Sequence, residues 1–182
     1  MQTYISILRG INVSGQKKIL MNDLKALYHD LKFEDVVTYI QSGNVIFKTN
    51  PLLSDKQLGD KIEKEILKKY NFQVPVIIRN IKEVAALIKK NPFSKKKNID
   101  PEKLHVTFLS ESPSTENIET IKGFNYPPDE FIIIEREVFL HCPINYGETK
   151  LSNKFFENKL KVSATTRNWK TVNKLYEMAE TN

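Results

Sequence analysis

Cysteine is nearly absent: Cys142 is the one thiol in 182 residues. That excludes an internal disulfide and any cysteine-rich zinc site. No apolar run approaches the roughly 18–20 residues that a spanning helix needs. A basic-apolar-small leader is missing as well, since the chain starts on a strand-like segment. These absences predict a soluble, cytoplasmic protein without a membrane partner. What is present is ordinary for a folded chain. Hydrophobic residues make up 40% and charged residues 27%, close to globular averages, which excludes the disordered and fibrous classes. The length suits one domain, or two of about 90 residues each.

The net charge of +6 is unevenly distributed. Between Lys150 and Lys174 stand Lys150, Lys154, Lys159, Lys161, Arg167, Lys170 and Lys174 against Glu157 alone. Residues 110–137 are acidic, with Glu111, Glu116, Glu119, Asp129, Glu130, Glu135 and Glu137 against Lys122 and Arg136. A basic segment favours polyanionic partners through counterion release and steering. It also serves simply as a solvated, lysine-rich helix surface. The run Lys95-Lys96-Lys97 is shorter than a nucleic-acid patch and reads as solvated loop.

The same order of elements occurs twice. Thr3–Leu8 is strand-like, and Met21, Leu24, Leu27, Tyr28 and Leu31 recur at helical spacing. Val36–Ile40 and Val45–Phe47 read as strands joined by the turn Gln41-Ser42-Gly43-Asn44. Ser54 with Gln57 spells a capping box for a helix carrying Leu58, Ile62, Ile66 and Tyr70. Val74–Arg79 completes βαββαβ, the ferredoxin-like unit. A helix through Ile81–Ile88 leads to Asn91-Pro92-Phe93, the lysine run and Asp100-Pro101, the best linker candidate. Beyond it come a strand at Leu104–Leu109, a helix at Ser114–Lys122 and a hairpin of Phe131–Ile134 with Val138–His141. A helix at Ser152–Leu160, a short last strand at Val162–Ala164 and a final helix through Trp169, Val172 and Tyr176 follow. The fold class predicted is therefore α+β: two ferredoxin-like subdomains, 1–99 and 100–182, with an extra C-terminal helix.

In such a unit the first and second strands run parallel. The loop after strand one and the turn after strand two therefore emerge at one end of the sheet. Here that brings together Arg9, Gly10, Asn12, Gly15 and Lys17 with Gln41, Ser42 and Asn44. Backbone N–H groups released by glycine can cradle an anion, and lysines add charge. The loop is not a P-loop, because Gln16 stands in the lysine position. Nor is it a dinucleotide fingerprint, because Asn12 replaces the second glycine. A purely structural turn with Arg9 pairing a carboxylate is the competing reading.

Tyr4-Ile5-Ser6-Ile7-Leu8-Arg9-Gly10-Ile11-Asn12-Val13, Thr38-Tyr39-Ile40-Gln41-Ser42-Gly43-Asn44-Val45 and Thr165-Thr166-Arg167-Asn168-Trp169 resemble the bacterial domain-of-unknown-function 1697 family. Val74–Arg79, Asn91-Pro92-Phe93 and His105–Phe108 fit the same pattern. Ser14 departs from it, where the family usually shows a second glycine beside Gly15. The resemblance implies a two-part α+β fold and carries no biochemical activity with it.

A second candidate anion site gathers Lys150, Thr165, Thr166, Arg167 and Asn168 ahead of the final helix. Threonine or asparagine can cap that helix, whereas a cation there opposes the macrodipole unless an anion joins it. The alternative has Arg167 pairing an acidic residue of 110–137. Trp169, in phase with Val172 and Tyr176, reads as core. His105 and His141 are expected close together on adjacent strands, with Cys142 on the opposite face by alternation. Two ligands do not make a zinc site, and no motif implies a metal or cofactor. Two function classes follow. One is a binding module for a phosphate-bearing ligand, nucleotide or nucleic acid. An RNA-reading sheet with Tyr4 and Phe47 as stacking aromatics is its special case, weakened by the missing glycine-aromatic signature. The alternative is a small metal-independent enzyme using polar loop residues at the first sheet end.

Overall fold

Alternating apolar residues and helical stripes build two sheets in sequence. The computed structural model describes residues 1–182. The first half runs β1 (Gln2–Leu8), α1 (Met21–Asp30), β2 (Glu34–Tyr39), β3 (Asn44–Thr49), α2 (Asp55–Tyr70), β4 (Val76–Asn80) and α3 (Ile81–Lys90). The second runs β5 (Leu104–Leu109), α4 (Thr115–Ile121), β6 (Glu130–Ile134), β7 (Glu137–His141), α5 (Asn153–Leu160), β8 (Ala164–Asn168) and α6 (Trp169–Thr181). The strand orders are β2-β3-β1-β4 and β6-β7-β5-β8, with every neighbouring pair antiparallel. Both are the ferredoxin-like arrangement, so the fold class is as expected. No helix is long and apolar enough to cross a membrane.

One compact unit comprises Met1–Ala85 with Lys174–Asn182, and the other Ala86–Asn173. The linker-based expectation had divided the chain at 99/100. In the first unit α1 and α2 cover the sheet face bearing Tyr4, Leu8, Val45, Phe47, Val76 and Ile78. Ser54 starts α2 with the expected capping box, accepting from the Gln57 N–H while Gln57 accepts from the Ser54 N–H. Phe47 lies centrally, stacked on Phe33 at 4.5 Å and edge-on to Tyr28 at 5.4 Å. The buried Tyr28 hydroxyl pairs with Ser6 Oγ at 2.6 Å. Tyr4 stacks on Phe47 within this core, and both are buried. The RNA-reading sheet is thereby corrected: strand alternation turns both rings toward the helices, where no base can stack.

The core of the second unit holds Leu109, Val138, Leu140, Leu151, Phe156, Leu160 and Ala164. Its last strand differs from expectation. Instead of ending at Ala164, β8 starts there and continues to Asn168, paired with β5 as Phe108↔Thr165 and Val106↔Arg167. The β-branched threonines extend the ladder.

Candidate functional site

At the end of the first sheet, three chain segments meet through backbone bonds. The Leu8 N–H donates to Gly43 O at 2.8 Å, and the Arg9 N–H to Pro75 O at 2.9 Å. The Asn12 side chain then fastens the loop. Its Nδ2 donates to Ile19 O and to Gln41 O, and its Oδ1 accepts the Ile19 N–H, all at 2.9 Å. Gly43 packs so tightly that a Cβ there would lie 2.6 Å from Ile11 Cδ1 and 2.8 Å from Leu8 Cβ. The loop after β1 and the turn after β2 thus share one sheet end.

Between its pinned ends the loop has an unusual backbone. Positive φ occurs at Gly10, Asn12, Ser14, Gly15 and Lys17, with Ile11, Val13 and Gln16 between them outside that set. Left-handed residues interspersed in a loop are the backbone feature from which anion-binding nests are built. Two bonds brace the tip, Asn12 N–H to Lys17 O at 3.2 Å and Gln16 N–H to Val13 O at 2.9 Å. Lys17 Nζ donates to Gln73 O at 2.6 Å, while Lys18 and Gln41 are exposed. Neither residues 1–22 nor 36–54 contain an Asp or Glu. Carboxylates from these segments therefore do not oppose an anion.

Some expected ligand contacts are instead structural ties. Asn44 is fully buried, with Nδ2 bonded to Tyr39 O at 3.0 Å and Ser42 Oγ at 3.1 Å. Asn12 has its amide engaged as described. Gly10, Gly15, Lys17 and Gln41 remain exposed, and Arg9 is partly buried. Sequence reasoning missed Gln73, which enters through its carbonyl and so has no side-chain signature.

The second candidate site does not assemble as expected. On β8, Ala164 and Thr166 face the helices. Thr166 Oγ1 contacts Thr107 Oγ1 and donates to Asn153 Oδ1, each at 2.7 Å. Strand alternation places Thr165 and Arg167 on the other face. Arg167 is not at the opening of α6: it lies in the strand, and its guanidinium donates to Thr165 Oγ1 at 3.1 Å and Thr166 O at 2.9 Å. Burial pulls the Arg167 pKa down to about 10. Asn168 does the capping, accepting the Thr171 N–H at 2.7 Å. Lys150 Nζ sits 5.4 Å from the Tyr126 ring centre. Trp169 is buried.

The two histidines do come to one end of the adjacent antiparallel strands β5 and β7, but they point apart. Register sets Leu104 opposite His141 and His105 opposite Leu140, so the histidines are one residue out of step and occupy opposite faces. His105 stacks on Tyr146 at 4.5 Å, and His141 Nδ1 lies 3.2 Å from Glu130. No three His, Cys, Asp or Glu side chains gather as a metal site. Burial raises the Cys142 thiol pKa to about 11, which keeps it protonated and a poor nucleophile.

A family model described as "Protein of unknown function (DUF1697)" matches residues 1–139. No curated protein matches the chain. Among solved structures, the conserved bacterial protein SP0830 from Streptococcus pneumoniae is similar, with a TM-score of 0.75 at 22% identity over 98% of each chain. At that identity the likeness concerns the fold.

Proposed function

The chain belongs to the DUF1697 family of proteins of unknown function, so its activity must be read from its own residues, and we propose that it binds a phosphate-bearing ligand, a nucleotide or nucleic acid. The ligand occupies the loop 9–18 and the turn 41–44. One observation carries this reading: five left-handed residues, Gly10, Asn12, Ser14, Gly15 and Lys17, within one largely exposed loop. Such backbone is costly for Ser and Lys, roughly 1–2 kcal/mol each. The loop N–H groups beyond those of Asn12 and Gln16, which bond within the loop, suit a phosphate. Lys18 adds charge, and the absence of carboxylates from both segments favours an anion.

Calorimetry at low salt with inorganic phosphate, ATP and single-stranded RNA tests the proposal. Binding of at least one probe is expected, weakening as salt rises. Lys18→Glu should weaken it at least about fivefold, since a charged contact to phosphate contributes roughly 1 kcal/mol or more. Gly15→Ala strains only the backbone, as no atom lies within 4 Å of the added methyl. It should weaken binding and lower stability by about 1–2 kcal/mol, the left-handed strain alone, so affinity is compared well below the urea transition. No heat with any probe, or full affinity in both variants, overturns the proposal.

A further inference from the structure

We infer that the free edge of β6 is a docking site for an extended, basic segment of another protein, which adds to the sheet as an antiparallel strand. The acidic stretch 110–137 has no part in the phosphate site, and β6 lies within it. β6 and β7 are joined by the two-residue turn Glu135-Arg136, which closes on the pair Ile134↔Glu137. In a hairpin of that length the closing pair is hydrogen-bonded, and bonded pairs then alternate along the ladder. Ile134, Ile132 and Glu130 therefore face β7 with their backbone groups. Phe131 and Ile133 direct their N–H and C=O groups away from the sheet.

Those same two residues line a groove of about 450 Å³ together with Ile118, Ile121 and Phe124. Backbone donors and acceptors and an apolar groove thus coincide, the pairing used when a peptide extends a sheet. No bulge interrupts this edge. β2, an edge of the first sheet, has a register irregularity between Glu34 and Val37 and a left-handed Asp35. β6 keeps unbroken register and contains neither Lys nor Pro. Edges left this way invite a further strand.

Charge selects the occupant. Asp129 and Glu130 line the groove with Lys122. With Glu116 and Glu119 of α4 the carboxylates still outnumber the cations, Lys96 pairing with Glu130 and Lys122 with Glu119. In a second copy paired about Ile132, Asp129 stands against Glu135 twice, and like charges placed opposite are destabilising. A segment alternating aliphatic residues with Lys or Arg satisfies both groove and charge.

The probe is acetyl-(Lys-Val)₄-amide titrated into the full ¹⁵N-labelled chain. Saturable shifts at residues 118–133 and at least tenfold slower exchange of the Phe131 and Ile133 amides are expected. In antiparallel addition the groove-facing residues also donate to the edge. N-methylation of the valine amides should therefore weaken binding at least tenfold, and N-methylation of the lysine amides should leave it within about twofold. The proposal is overturned by shifts elsewhere or none, by the reverse methylation pattern, or by equal binding of a control peptide, acetyl-(Glu-Val)₄-amide. Concentration-dependent shifts of the same amides without peptide would also overturn it, by making a second copy the occupant.

Discussion

Gly43 meets two demands at once: its φ is +79°, and a Cβ would collide with Ile11 and Leu8. Gly43→Ala should therefore destabilise the fold by about 2–4 kcal/mol, combining left-handed strain with overpacking. Urea unfolding measures it; an unchanged midpoint would mean that the turn relaxes freely. His105 is a separate case at this scale. Burial holds its pKa below the ordinary 6.5, helped by the charge of Lys103. The unfolded chain then takes up a proton near pH 6.5 while the folded chain does not, so this contribution to stability falls as pH drops through that value. His105→Phe keeps a ring against Tyr146 and should show a flatter urea midpoint between pH 7 and 5 than the parent. Equal slopes would assign the acid limb to other groups. The individual asparagines show where sequence reading stops. Asn12 and Asn44 look alike as polar loop residues, yet their partners, such as Gln41 O and Tyr39 O, are fixed only by the fold.

At the scale of elements, the strands and the α2 cap were legible because their signals are local. Ser54 and Gln57 satisfy each other over three residues, and Leu104–Leu109 matched the strand in full. The last strand was not legible. Thr165 and Thr166 suit a helix cap as well as a ladder, and pairing with β5, some 60 residues earlier in sequence, decides between them. That decision changes the role of Arg167. A strand arginine bonded to Thr165 and Thr166 stabilises structure, so Arg167→Ala should cost about 1–3 kcal/mol. Phosphate affinity should stay as in the parent. Normal stability with lost anion affinity would restore the helix-end site.

For the whole molecule, α6 matters most, since residues 174–182 belong to the compact unit formed by Met1–Ala85. Leu175 and Ala179 are buried, and Asn182 Nδ2 donates to Asp35 O at 2.7 Å. Leu175→Ala should cost about 2–5 kcal/mol, as core truncations do. Hydrogen exchange in the first unit should quicken with it. Exchange unchanged in residues 1–85 would show that the returning segment contributes little. The repeated βαββαβ order was readable from hydrophobic periodicity alone. The return of residues 174–182 was not, because nothing in a helical stripe records which body it buries against.

That return has a consequence for biosynthesis. Nascent domains fold in order of emergence when each is continuous in sequence. Here the first body receives its last piece only after all of Ala86–Asn173 has been translated. The N-terminal half leaves the ribosome first and is completed last. Its apolar surface around the missing segment is open to chaperones throughout synthesis of the second half.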